Sequence, residues 1–335
     1  MKSLTFTGKG RLSWSDGPQP RIQQPHEAIV APVAATTCDL DRAIIAGHTP
    51  FQGPFALGHE CVARVVELGS NDEGLSVGDH VVVPWHIACG SCALCEAGRP
   101  SLCSRTPAYA MFGIPLGGEW GGMFSELLVV PWARTTLTRL PEGVTAAAAA
   151  AASDSLTDAY GAVRAGLRDR PGQPVLVAGG LTHGLYACAF AVALGSSDVV
   201  YADSDARRRA IAESYGARTV EDAGDLDAGA FPVTVDASAN PRGLTAALRA
   251  TAPGGHCHSV GIYFEPAKVP LMSMYMDAVT FTTGRPDITP HLPAVLSLLA
   301  SGQVDPTRVY SDTLAYEDLP QALLALPAKP LVLFD

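Results

Sequence analysis

The sequence predicts an α/β protein of two domains, a β-rich one followed by a doubly wound parallel sheet. Two changes of rhythm carry this reading. From residue 1 to about 141, short β-rich runs alternate with Gly and Pro turns. From 174 to about 284 the order becomes strand, turn, helix. Size agrees: 335 residues, 47% hydrophobic and 17% charged, suffice for two cores and are too apolar for a disordered chain.

In the first part, strands are expected at 26–36, 60–68, 79–84 and 124–130, where apolar or β-branched residues run between turn formers. Near Thr145 the composition shifts. Residues 146–152 are all alanine, a strong helix former, and predict a helix that joins the domains. In the second part, the apolar strand 174–178 leads into Gly179-Gly180-Leu181-Thr182-His183-Gly184 and a helix over 185–194. A strand over 198–203 then ends in Asp203, which completes a βαβ unit. Further strands at 233–236 and 256–260, with helical runs between, predict a parallel sheet covered on both faces. A helix over about 292–300 and a strand at 331–334 close the chain.

The formal net charge of -10, without a basic cluster, argues against nucleic acid as a partner. No apolar run approaches a membrane span, and residues 1–6 alternate like a strand and lack the apolar core of a secretory signal. Four of the 8 cysteines sit at metal-ligand spacing and the rest are scattered singly, which suits a reducing cytoplasm.

The candidate chemistry centres on Gly58-His59-Glu60. His59 reads either as a satisfied core residue or as a metal ligand, and the second reading needs companions. Cys38 lies upstream and Asp154 downstream; together they offer sulfur, nitrogen and oxygen and leave a fourth tetrahedral position for water or substrate. Asp154 reads alternatively as the cap of a helix starting at Ser155. Cys89, Cys92, Cys95 and Cys103 have the spacing C-x2-C-x2-C-x7-C, which favours a closed structural zinc over disulfides or a redox-active pair. The loop 179–184 matches G-x-G-x-x-G at Gly179 and Gly184, with Leu181 in the middle position, and Asp203 stands where a ribose-binding acid belongs. His183 reads as a phosphate contact or a surface residue.

As a set, the Cys38-x-x-Asp41 step, the Gly-His-Glu run, the four-cysteine lobe, the nucleotide unit and the closing tail resemble the zinc-dependent medium-chain alcohol dehydrogenases, a family that includes sorbitol, threonine and formaldehyde dehydrogenases. The resemblance implies a GroES-like catalytic domain at 1–150, completed by 286–335, and a Rossmann cofactor domain at 151–285. It implies two zincs per chain. The catalytic one would sit on Cys38, His59 and Asp154, the last at the edge of the second domain and matching the aspartate version seen in formaldehyde dehydrogenase-like members. Glu60 is expected as an alternative ligand or a supporting carboxylate, and Asp41 as the group that orients His59. Gly179, Gly180, Leu181, Gly184, Asp203 and Arg208 are expected to bind the cofactor. NAD is expected over NADP because Asp203 would repel a 2′-phosphate, although Arg207, Arg208 and Arg209 either grip that phosphate or point to solvent.

The implied reaction is hydride transfer between an alcohol or polyol, or the matching carbonyl compound, and the nicotinamide. Three positions depart from the family pattern. Leu40 replaces the hydroxyl residue that begins the proton relay, Asp39 replaces a Gly or basic residue, and Leu181 replaces a glycine. They keep open a dehydrogenase-shaped protein that binds a ligand or partner without turnover, and also a zinc lyase or hydrolase. The apolar strand 279–283 predicts pairing with its own copy, in a homodimer or homotetramer.

Overall fold

The computed structural model describes residues 1–70 and 74–334. Among these the chain forms sixteen strands: β1 (Lys2–Gly8), β2 (Arg11–Asp16), β3 (Ala28–Thr36), β4 (Phe55–Ala56), β5 (Glu60–Leu68), β6 (His80–Val83), β7 (Leu128–Val130), β8 (Thr138–Arg139), β9 (Val175–Ala178), β10 (Val199–Ala202), β11 (Arg218–Val220), β12 (Phe231–Asp236), β13 (Thr251–Ser259), β14 (Thr280–Thr283), β15 (Asp312–Ala315) and β16 (Pro330–Leu333). They divide between two compact units. One is Met1–Thr157 with Pro286–Gly302 and Tyr310–Asp335; the other is Asp158–Arg285 with Gln303–Val309.

The first unit is built on a sheet in the order β15-β16-β3-β5-β6-β8, with β7 also paired to β3, and on a smaller sheet β2-β1-β4. Its central strands are rich in Val and Ala and bury both faces, as β3 and β5 show. Pro32 lies inside β3 where the register against β5 shifts between Pro32 and Ala34, the kind of irregularity at which a strand tolerates proline. Thr36 pairs with Glu60 in that antiparallel register. The residues just after β3 and just before β5 therefore emerge side by side, and these include Cys38 and His59.

The second unit is a six-stranded sheet in the order β11-β10-β9-β12-β13-β14, parallel throughout. Helices Thr182–Ala193, Ala206–Ser214 and Pro241–Ala250 make the crossovers, and the last buries Leu244, Ala247 and Leu248 against the sheet. Strand order reverses between β9 and β12, the switch point at which parallel sheets open a crevice beyond their carboxyl ends. Ala178 pairs with Asp236 there, so the glycine loop and the Ala237-Ser238 turn leave the sheet as neighbours.

The sequence reading needs correction at three elements. The alanine run is no continuous helix: Ala146–Ala149 is α-helical, Ala150–Ser153 is a 3-10 turn, and the long helix is Ser155–Leu167. Ala150, Ala151 and Ala152 are fully buried, and the turn packs on β5, so close packing overrides alanine's preference for a longer helix. The strand expected over 124–130 shortens to Leu128–Val130, because Ser125 turns its hydroxyl to the carbonyls of Gly122 and Leu127. The helix after the glycine loop starts at Thr182, three residues earlier than expected.

Candidate functional site

Each candidate ligand is delivered by a separate local device. Cys38 is the N-cap of the helix Asp39–Ile45; its Sγ accepts from the Leu40 N–H at 3.2 Å, while Asp41 Oδ2 accepts from the Cys38 N–H at 3.0 Å. His59 follows Gly58, whose φ of +97° and 2.6 Å approach to the Phe124 ring at the place of a Cβ admit only glycine. Asp154 is placed by its neighbour: Ser153 Oγ accepts from the Cys61 N–H at 2.9 Å and donates to the Cys61 carbonyl at 2.8 Å, which pins this turn beside the start of β5.

The three side chains converge. Cys38 Sγ is 3.0 Å from His59 Nε2, His59 Nε2 is 3.4 Å from Asp154 Oδ2, and all three donor atoms lie within 4.8 Å of one another. All three residues are buried and belong to the first unit. Asp41 Oδ1 stands 3.3 Å from His59 Nδ1, long for a hydrogen bond but near enough to fix the ring.

The electrostatics of this cluster call for a cation. Burial pushes the Cys38 thiol up to about 12, against the pull of His59. For His59, burial opposes the charged form most strongly, yet the negative charges of Asp41 and Cys38 carry its pKa well above the ordinary value. A soft thiolate, an imidazole and one carboxylate are a fitting set for zinc with an open position.

Glu60 is placed otherwise than an alternative ligand requires. Its Oε1 accepts from the Ser155 N–H at 2.8 Å and from the Ser155 hydroxyl, and its Oε2 accepts from Lys329 Nζ at 2.8 Å. Both oxygens are committed away from the donor set, because a buried carboxylate must find compensating donors. Neither Ser155 nor Lys329 stands out in the sequence.

The four-cysteine lobe carries a second donor set. Cys89, Cys92, Cys95 and Cys103 are free thiols with their sulfurs within 4.8 Å of one another. The separations of 3.5 Å for Cys92–Cys95 and 3.9 Å for Cys92–Cys103 exceed a disulfide bond. They match the edge of about 3.8 Å expected of four sulfurs at roughly 2.3 Å from a zinc ion. Cys92 is held down to about 5 by the Ser104 hydroxyl and by the backbone N–H groups of Cys95 and Ser104, which favours the thiolate a metal needs.

In the second unit Gly179 and Gly180 take φ of +65° and +86°. A Cβ on Gly180 would stand 2.5 Å from the Ala237 carbonyl, and one on Gly184 would strike the Gly179 carbonyl, so these glycines permit loop, helix and sheet to close up. Leu181 is a buried N-cap whose side chain has no oxygen to cap the helix Thr182–Ala193. Asp203, just beyond β10, accepts from Arg208 Nη2 at 2.7 Å, from the Asp205 N–H at 2.8 Å and from the Tyr201 hydroxyl at 2.9 Å. Arg209 bonds the Asp203 carbonyl and pairs with Glu221, while Arg207 stays exposed. His183 lies 3.4 Å from Asp158.

A chain that builds both an open, mixed donor set and a dinucleotide loop has what a metal-dependent oxidoreductase requires. Residues 24–142 match the alcohol dehydrogenase GroES-like domain family, and residues 184–300 match the zinc-binding dehydrogenase family. The Mycobacterium tuberculosis protein named "Probable zinc-binding alcohol dehydrogenase" is 30% identical over 327 residues, which cover 95% of this chain and 83% of that one. A glutathione-independent formaldehyde dehydrogenase of Pseudomonas aeruginosa is 33% identical over 229 residues, 64% of this chain and 57% of its own. Among solved structures, alcohol dehydrogenase TADH from Thermus sp. ATN1 has a TM-score of 0.89 and 32% identity, with 100% of both chains covered. The chain belongs to the zinc-binding, alcohol dehydrogenase-like family of medium-chain oxidoreductases. These likenesses all run to oxidoreductases, so the reading of a dehydrogenase-shaped binding protein without turnover is set aside.

Proposed function

We propose that this protein oxidises an alcohol or polyol, or reduces the matching aldehyde or ketone, with NAD as its nicotinamide cofactor and two zincs per chain. The observation that carries the reading is the buried convergence of Cys38, His59 and Asp154 within 4.8 Å. These residues would hold the catalytic zinc, and the four cysteines of the lobe the structural one. Zinc with an open position supplies Lewis-acid polarisation of the substrate's oxygen, and the nicotinamide supplies the hydride acceptor or donor.

The chain's own residues supply placement. Asp41 keeps the His59 ring turned to the donor set, and Glu60 stays clear of it. Gly180 and Gly184 would let the loop backbone approach the cofactor's diphosphate, and the N-terminus of the helix Thr182–Ala193 would supply donors to it. Leu40 carries no proton, so the alcohol proton must leave by another route.

The preference for NAD rests on Asp203. Its buried carboxylate already compensates Arg208, and Glu221 compensates Arg209, so little free positive charge remains for a 2′-phosphate. We place the protein in the cytoplasm, in keeping with its free thiols. We also infer a homodimer or homotetramer, because β14 is the outer strand of its sheet and exposed Leu271, Met272, Tyr275 and Met276 precede it.

Titration with both cofactors, followed by nicotinamide absorbance in the presence of simple alcohols and polyols, tests the reading. NAD should bind more tightly than NADP, and Asp203→Ser should narrow or reverse the gap. Binding of neither cofactor, or no alcohol-dependent reduction across such a panel, would sink it.

A further inference from the structure

Lys329 is wholly buried and stands immediately before β16. Its ammonium donates to the Thr37 carbonyl at 2.8 Å, to Glu60 Oε2 at 2.8 Å and to Ser155 Oγ at 3.2 Å. An ammonium has three protons, and all three are used. The three acceptors share one property. Thr37 precedes Cys38, Glu60 follows His59, and Ser155 follows Asp154. One cation therefore bonds to the chain neighbour of every ligand in the mixed donor set.

A buried Lys–Glu pair is weak support for stability, since taking both charges out of water offsets most of their attraction. Its retention here is explained better by what it positions. We propose that Lys329 is a positioning residue that sets the spacing of Cys38, His59 and Asp154 and holds Glu60 away from the metal they bind. It links the loop after β3, the start of β5 and the turn before the helix Ser155–Leu167, and Glu60 extends the link by accepting the Ser155 N–H. Without the ammonium, the Glu60 carboxylate, next to His59 in the chain, loses the partner of its Oε2 and becomes a competing ligand.

This inference rests on the proposed ligand set, and metal release from the full-length, zinc-loaded protein tests both separately. Excess chelator should release zinc from the wild type in two phases, with Cys38→Ser assigning the phase of the mixed site. In Lys329→Met, and in the charge-balanced Glu60→Gln/Lys329→Met, the mixed site should empty at least ~10-fold faster, the loss typical of removing an outer support. The four-cysteine site should empty at the wild-type rate, and cobalt placed in the mixed site should show a shifted visible spectrum. Should neither variant fold, Lys329→Gln is read in the same way. Unchanged release and spectrum in a folded variant overturn the proposal, as does equal acceleration at both sites, which marks a general loss of stability. A wild type that binds zinc only at the cysteine lobe overturns the ligand reading itself.

Discussion

The proposed ligand sets give Cys38 and Cys92 different work, and substitution should separate them. Cys38→Ala should lose one zinc together with turnover, whereas Cys92→Ala should lose the other and chiefly destabilise the fold, because a closed site contributes folding energy directly. Elemental analysis beside unfolding curves checks this, and a single zinc in the wild type would show one assignment to be wrong. Gly58 is a sharper case. Alanine there must adopt φ of +97° and push against the Phe124 ring at 2.6 Å. We expect Gly58→Ala to lower stability by about 2–4 kcal/mol, from backbone strain and overpacking together. A urea midpoint close to wild type would refute it.

At the scale of elements, β13 carries a pH dependence. His256 and His258 stack on it with ring centres 6.0 Å apart. Burial first, and then the neighbouring His256, bring His258 down to about 4. His256 is lowered by burial and by Arg170 and Arg168. A histidine depressed in the fold stays neutral there while the unfolded chain takes up a proton below about 6.5. His258 therefore costs nothing above that pH and removes stability as pH falls from about 6.5 towards 4, by at most about 3 kcal/mol. The stability difference between pH 7.5 and 4.5 should shrink in His258→Asn. An equal difference in variant and wild type would contradict this.

What the sequence disclosed follows from the range of the forces involved. β5 and the helix Leu292–Ala300 are legible in the sequence, since a short β-branched apolar run and helical apolar spacing are local signals. The cysteine lobe is legible from spacing, cysteine usage and resemblance together, and Cys38, His59 and Asp154 from their complementary donor chemistry strengthened by the resemblance. Residues 146–152 misled because propensity favours a helix where packing against β5 demands a turn. Lys329 could not be found at all. A lysine between Ala328 and Pro330 reads as solvated surface, and its partners lie 292, 269 and 174 residues away.

For the whole molecule, the outer edge of the six-stranded sheet sets the expected assembly. The described residues give β14 one neighbour, β13, and leave its other edge without a partner strand. A second copy pairing there antiparallel about a two-fold axis would extend the sheet and cover part of the exposed Leu271–Met276 helix. Light scattering at micromolar concentration should give a multiple of the chain mass, and Thr282→Lys, which puts a charge on the edge strand, should shift it towards one chain. A strictly monomeric wild type would rule the pairing out.

The first unit is assembled from three separated stretches of sequence, and its strand β3 pairs with β16 near the far end. During synthesis that strand must wait while almost everything else leaves the ribosome, whereas most of the second unit, residues 158–285, is available earlier. The order of manufacture thus runs against the order of the sequence: the donor set is translated first and secured last. A chain interrupted after Arg285 should be able to form most of the parallel sheet while the first unit is unfinished, with Cys38, His59 and Asp154 already present but lacking the lysine that bonds their neighbours.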